Sequence, residues 1–244
     1  MAKQSGKNGV VLIGGYNFST EALQWDVSLS ANASDVTGFG DGSHNFLHAL
    51  KTGEMTVNML WNSSDKTEVL LTTTEQSNLT ILPAGYSLGG VSLSMPFYMA
   101  NLDVSGAASG EAISAGSAKF VTRGTTGLEM GQVLHHLAVT DSTTDTGVTD
   151  PNQAATEITA ECAGVLHVWQ ACASDTYVVE IQESTDDITY ATLITFTLNG
   201  SALGSERVAV ASGNIEPYRR VMATRTGAAG DSFGFTVHFW HGGL

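Results

Sequence analysis

Three stretches in the first half of the chain alternate between apolar and polar side chains. Over 24–29, Trp25, Val27 and Leu29 share one parity, and Gln24, Asp26 and Ser28 share the other. Met55, Val57, Met59 and Trp61 repeat the pattern over 54–61, and Val91, Leu93, Met95 and Phe97 repeat it over 91–98. A period of two sends successive side chains to opposite faces of an extended backbone, so each stretch reads as a half-buried strand. Pro96 has no amide donor, which places the third strand at a sheet edge. Shorter strands are expected at 119–122 and 136–140. The fold class that follows is mainly β.

One segment departs from the alternation. Asp65 stands three residues before Glu68, the spacing of a capping box, and Val69 and Leu70 follow. A single short α-helix is expected over 65–76, although the run of threonines at 72–74 forms helix poorly.

Later in the chain, runs at 165–171, 177–183, 192–198, 206–211, 218–224 and 233–241 are separated by turn sequences such as Ser184-Thr-Asp-Asp187 and Asn199-Gly-Ser201. Six short strands in about 80 residues describe an antiparallel, immunoglobulin-like β-sandwich. Phe233, Phe235, Val237 and Phe239 form its core seam. Residues 140–152 are polar and lack aromatics, so they read as a linker. The expected division is a first domain over 1–140, a linker over 141–153 and a C-terminal sandwich over 154–244.

Composition narrows function by exclusion. The 244 residues carry 10 Lys plus Arg against 24 Asp plus Glu, a formal charge of −14. That is the wrong sign for a protein that coats DNA. The acidity is uneven: 1–140 holds 6 basic and 11 acidic side chains (−5), and 141–244 holds 4 and 13 (−9). Charged residues are 14% of the chain, against about 25% in typical globular proteins. With 51 Ser plus Thr, 27 Gly and 42% apolar residues, the chain is too apolar for disorder and suits β-sheet. No run of 18 apolar residues occurs, and residues 1–9 are polar, so neither a membrane helix nor a secretory signal is expected.

Catalytic and cofactor signatures are missing. The sequence contains no G-x-S-x-G, P-loop or dinucleotide fingerprint, so neither an enzyme nor a cofactor is expected. His44 and His48 are four apart, but Asn45, Phe46 and Leu47 lie between them where a zinc protease has its glutamate, so no metal is assigned. His135 and His136 are adjacent on a strand and face opposite sides. Asp186-Asp187 reads as a solvated hairpin turn rather than a calcium site, and the five Asn-x-Ser/Thr sequons reflect composition. Cys162 and Cys172 lack metal-cluster spacing. They read as buried thiols, with a hairpin disulfide as the alternative.

Two places suggest contact with a partner. Residues 34–53 form a long segment with four glycines and the apolar Phe39, Phe46, Leu47 and Leu50, too long and too apolar for an idle loop. Tyr218, Arg219 and Arg220, with Arg225, are the basic cluster of an otherwise acidic second half. They either meet an acidic sugar or phosphate, or neutralise the sheet locally, which is the blander reading.

Several short motifs occur in order: Met1-Ala-Lys-Gln-Ser-Gly6, Gly14-Gly-Tyr-Asn-Phe-Ser19, Asp35-Val-Thr-Gly38 and Leu50-Lys-Thr-Gly-Glu54. Over about 1–140 the chain thereby resembles the tail tube proteins of long-tailed bacteriophages. The resemblance implies a virion protein made in the host cytoplasm. Its copies, in hexameric rings, close their sheets into one inner barrel, and the rings stack with other tail proteins into a conduit for DNA ejection. Phage DNA passes without specific binding, and no membrane is involved. The loop between early strands meets the neighbouring ring in that family, which implies Asp35, Phe39, Phe46, Leu47 and Leu50 as contacts here. By analogy 154–244 is a surface domain. A carboxylate-lined lumen repels the duplex, which the negative first domain suits. The rival is a decoration or host-surface protein whose second domain binds carbohydrate through Trp169, Tyr177, Tyr190, Tyr218 and Trp240.

Overall fold

The computed structural model describes residues 8–35, 46–60, 77–103, 115–124, 127–149, 158–227 and 230–242. Within them the protein is almost entirely antiparallel strand, the mainly-β class that the alternation requires. In chain order these are β1 (Val10–Ile13), β2 (Tyr16–Asn17), β3 (Ala22–Asp35), β4 (Phe46–Leu60), β5 (Ser77–Leu82), β6 (Val91–Asp103), β7 (Ala115–Thr122) and β8 (Glu129–Val139). There follow β9 (Thr143–Thr144), β10 (Val148–Thr149), β11 (Ile158–Gln170), β12 (Thr176–Ser184), β13 (Ala191–Thr195), β14 (Gly204–Ile215), β15 (Tyr218–Thr226) and β16 (Phe233–His241). The helix expected over 65–76 lies outside the described residues.

The chain divides into two compact units that do not follow its order. The larger takes Met1–Thr20, Ser77–Ser94 and Glu129–Leu244, and the smaller takes Glu21–Gln76 and Met95–Leu128. This differs from a division between 1–140 and 154–244. The physical reason is β8, which precedes the expected linker yet pairs along its length with β16, from Phe233↔Val139 to Phe239↔Gln132. The stretch expected as a linker is also structured as far as Thr149. Thr143 and Thr144 pair with Ala223 and Met222, and Val148 and Thr149 pair with Arg219 and Tyr218. Threonine is polar but a good strand former, so polarity alone misreads it as a tether.

In the larger unit, β14, β11, β16 and β8 are neighbours in one sheet, and β10, β15, β12 and β13 in a second. All six strands expected beyond residue 150 form. Leu166, Val168, Phe233, Phe235, Val237 and Phe239 pack with Tyr177, Val179, Ile181, Val221 and Ala223 in one core. Phe233 stacks on Phe235 with ring centroids 4.7 Å apart, and Tyr177 stacks on Phe233 at 4.5 Å. Cys162 and Cys172 are buried free thiols here.

The motif Gly14-Gly-Tyr-Asn-Phe-Ser19 is a structural device of this unit. Ile13 pairs with Tyr16, so Gly14 and Gly15 alone make the turn between β1 and β2. Gly14 has φ of 59°, and a side chain on Gly15 would strike the Gly204 backbone. Phe18 is fully buried and its amide donates to the Val11 carbonyl at 2.8 Å.

The smaller unit is a sheet in the order β3, β4, β7 and the 95–103 portion of β6. Pro96 is not at an edge. Val91–Ser94 pair with β8 and Phe97–Asp103 with β7, so the proline stands where the strand changes partner. The expected 34–53 loop is shorter than its composition suggests, because β3 runs to Asp35 and β4 begins at Phe46, the two paired directly. Irregular register between Ala31 and Ala33 breaks the alternation there and hides the strands. Residues 36–45 lie outside the described residues.

Candidate assembly surface

The sheet of the smaller unit has two unlike faces. On one, Met55, Val57, Met59, Phe97, Ala118 and Phe120 are buried, and the Phe97 and Phe120 rings meet edge-on at 4.8 Å. Register places Trp25 beside Val57, Val27 beside Met55 and Leu29 beside Gly53, so β3 continues this face. Trp25 and Val27 are only half-buried, however, and Leu29 is 57% exposed. The apolar face thus loses its cover at β3.

The opposite face is polar and carries few charges. Gln24, Asp26 and Ser28 on β3 lie beside Asn58, Thr56 and Glu54 on β4. Its cations are engaged. Lys119 Nζ lies 2.9 Å from Glu54 Oε2, and the Arg123 guanidinium sits 5.3 Å from the centroid of the Tyr98 ring. Gln24 donates to Asp26 at 3.0 Å and Asn101 donates to Asp103 at 2.9 Å, which orients both carboxylates without neutralising them. Exposed ion pairs of this kind contribute little stability; Asp26, Glu54 and Asp103 against Lys119 and Arg123 leave these groups one net negative charge, since the Tyr98 ring does not neutralise the guanidinium.

The rim matters most. Among the described residues β3 pairs with β4 and with no other strand. Between its irregularities at Ala22/Gln24 and Ala31/Ala33 it presents a regular edge that contains neither Lys nor Pro, with Asp26 its lone charge. Natural sheets blunt such edges with lysine, proline or cover, because free N–H and C=O groups template pairing with another chain. This edge carries neither residue.

The residues singled out from sequence scatter. Asp35, Phe46, Leu47 and Leu50 lie on the two arms of the β3–β4 hairpin, with Asp35 opposite Phe46 and Ser34 opposite Leu47. Phe39 lies outside the described residues. Tyr218, Arg219 and Arg220 do not form one surface cluster. Arg219 is fully buried, 5.0 Å from the Phe239 ring centroid, and donates from Nη1 to the Glu216 carbonyl at 3.1 Å. Arg220 points the other way, donating to Gln182 Oε1 at 3.0 Å and covering the Tyr190 ring at 3.7 Å. Of the aromatics weighed for sugar stacking, Tyr177 is core and Tyr190 lies under that guanidinium. Asp186 closes its turn by accepting from Ser184 Oγ and the amides of Ile188 and Thr189, which holds its carboxyl below the usual range.

Sequence reasoning missed the open edge, whose signal was present: a long β-run free of lysine and proline. It also missed the ion pair of Glu129 and Arg207, where Arg207 Nη2 lies 2.5 Å from a fully buried carboxylate. Those partners are 78 residues apart, and no local pattern announces them.

No family model and no curated protein matches the chain. Among solved structures, a protein of the virion of a native gene transfer agent particle matches with a TM-score of 0.42 and 16% identity, covering 52% of this chain and 98% of that one. The Dit protein of phage SPP1, described as a hub of the adsorption apparatus in phages infecting Gram-positive hosts, matches with a TM-score of 0.36 and 8% identity over 96% and 98% of the two chains. A protein of the phage p2 baseplate in its activated conformation with Sr matches with a TM-score of 0.35 and 9% identity over 94% and 97%. At TM-scores below 0.5 and identities below 25%, family membership does not follow from these likenesses.

Proposed function

We propose that the chain is a structural subunit of a virion tail that assembles with copies of itself through the β3 edge of the smaller unit. The observation that carries this reading is that edge: a 14-residue strand paired on one side, regular in its middle, beside an apolar face that stays half-covered. Pairing with another copy satisfies the free backbone groups and covers Leu29 together. The ordered motifs shared with tail tube proteins support a ring as the product. In that ring the polar face lines the lumen. Among its described residues three carboxylates, Asp26, Glu54 and Asp103, outnumber the cations Lys119 and Arg123, so passing DNA meets a weakly negative wall. The β3–β4 hairpin, with Phe39, Phe46, Leu47 and Leu50, docks on the next ring.

Electron microscopy of the purified protein beside Leu29→Lys tests the proposal. Rings or hollow tubes are expected from the natural sequence. None are expected from the variant, because a buried ammonium on each paired edge opposes closure. The variant's monomer should melt as before, since Leu29 is mostly exposed. Tubes from Leu29→Lys, or a natural protein that stays monomeric at every concentration, overturn the assignment.

A further inference from the structure

A layer of polar side chains is buried in the larger unit where β1, β5 and the start of β6 meet the second face of β11 and β16. Thr80, Ser92, Ser94, His167, Thr236 and His238 are all fully buried there. His167 Nδ1 lies 2.6 Å from the Gly14 carbonyl and therefore carries the ring proton, so Nε2 accepts from the Thr80 hydroxyl at 2.8 Å. Thr80 continues to Ser94 at 2.9 Å, and Ser94 lies 3.3 Å from the Leu79 carbonyl. His238 Nδ1 lies 2.6 Å from Ser92 Oγ, while its Nε2 has no hydrogen-bond partner among the described residues. At the margin of the layer the half-buried His136 of β8 has Nδ1 2.5 Å from Thr236 Oγ1, which also accepts from Trp169 Nε1 at 3.1 Å.

Every bond to these rings from β5, β6 or β16 comes from a hydroxyl, and the one from the end of β1 comes from a carbonyl. The charged neighbours come from elsewhere and are already committed. On β8, Glu129 is held by Arg207 of β14, and His135 meets Asp145 Oδ2 at 2.8 Å. Glu161 lies at the exposed start of β11, and Tyr86 packs 5.8 Å from His136 without charge. A proton added to His238 finds no acceptor at Nε2. One added to His167 forces the Thr80 and Ser94 hydroxyls to turn toward Leu79. A second or third cation in the layer repels the first.

We propose that this layer is an acid-sensitive latch: β1, β5 and the start of β6 stay seated on β11 and β16 only while His136, His167 and His238 are uncharged, and acidification releases them. Burial pushes His136 and His167 down to about 4 and His238 to about 3, with neighbouring imidazoles adding to each shift. Each ring binds its proton more weakly in the folded chain than in the unfolded one. The stability it contributes is complete above about pH 6.5 and is lost as pH falls toward 4. Glu129 opposes this in part, because burial raises its carboxyl and its contribution fades as pH rises. The latch is independent of the tail reading and fails or stands without it.

The experiment follows the imidazole Cε1 proton signals and the backbone amide exchange of the full chain by NMR from pH 7.5 to 4.5. His136, His167 and His238 are expected to hold their neutral shifts down to pH 5. After correction for intrinsic exchange, the opening equilibrium of β1 and β5 is expected to rise about tenfold per histidine between pH 6.5 and 5. His167→Gln should remove one such factor from the slope. Should that variant not fold, the titration of the natural protein decides alone. Midpoints near 6.5 for the buried rings, a pH-independent opening of β1 and β5, or a folded His167→Gln with an unchanged slope overturns the proposal.

Discussion

The larger unit closes its apolar side chains into a core, and the smaller one leaves part of its apolar face open. In the larger, the aromatic residues of β16 stack in a closed core, the one buried carboxylate on β8 has its arginine, and even Arg219 is turned inward onto Phe239. In the smaller, the sheet stops at a strand whose outer side is unpaired among the described residues and whose apolar residues are half in water. Both obey the same alternation. The difference is where the apolar face finds its cover: within the chain in one case, and in a second copy in the proposed ring. On this proposal, stability and assembly are held in separate parts of one sequence.

Substitutions that respect this separation should have sharply different effects. The largest is expected from Glu129→Ala in the larger unit. It strands a half-buried guanidinium, and breaking a buried pair from one side costs about 3–5 kcal/mol, readable in urea unfolding. A loss under about 1 kcal/mol means the larger unit does not depend on its internal pairing. Next comes the double variant Leu47→Ala, Leu50→Ala in the β3–β4 hairpin. If the hairpin docks between rings, tubes are lost while monomer melting holds, because each leucine is worth about 1.5–3 kcal/mol only in the assembly. If these leucines are core, each alanine removes roughly 2–5 kcal/mol from the monomer, and the contrast between the units disappears.

Chemical reactivity gives a finer measure. Burial pushes the Cys162 thiol up to about 11, so alkylation at pH 8 should run at least about a hundredfold slower in the folded than in the unfolded chain. Equal rates would show that the sandwich core opens readily. The smallest effect is expected from Leu29→Ala, within about 0.5 kcal/mol on monomer stability, since the side chain is mostly in water. A larger loss means that the β3 edge is already covered in the monomer.

Much of this was legible in the alternation. It located β3, β4 and β6 and the Phe233 to Phe239 seam, because side-chain parity is a local property, but it did not mark β1, β2, β5, β9 or β10. It would also have turned Arg219 inward, on the parity of Val221 and Ala223, had charge not been taken as a sign of surface. The 34–53 segment misled because glycines and an irregular register interrupt the period over strands that continue. The division into units was not legible, since it rests on β16 reaching back about a hundred residues to β8. The buried histidines were invisible for the same reason: Thr80 and Gly14 reach His167 from 87 and 153 residues away.

The place of β16 has a consequence for synthesis. It lies between β11 and β8, yet it follows both in the chain. Until residue 241 has left the ribosome, the larger unit's first sheet is two separated pieces with raw edges where its middle belongs. The smaller unit has all its strands once Thr122 is made. The unit proposed to join copies is thus complete while the first sheet of the larger unit is still open. In the proposed assembly, nascent chains on a crowded polysome meet their neighbours through β3 before they close on themselves.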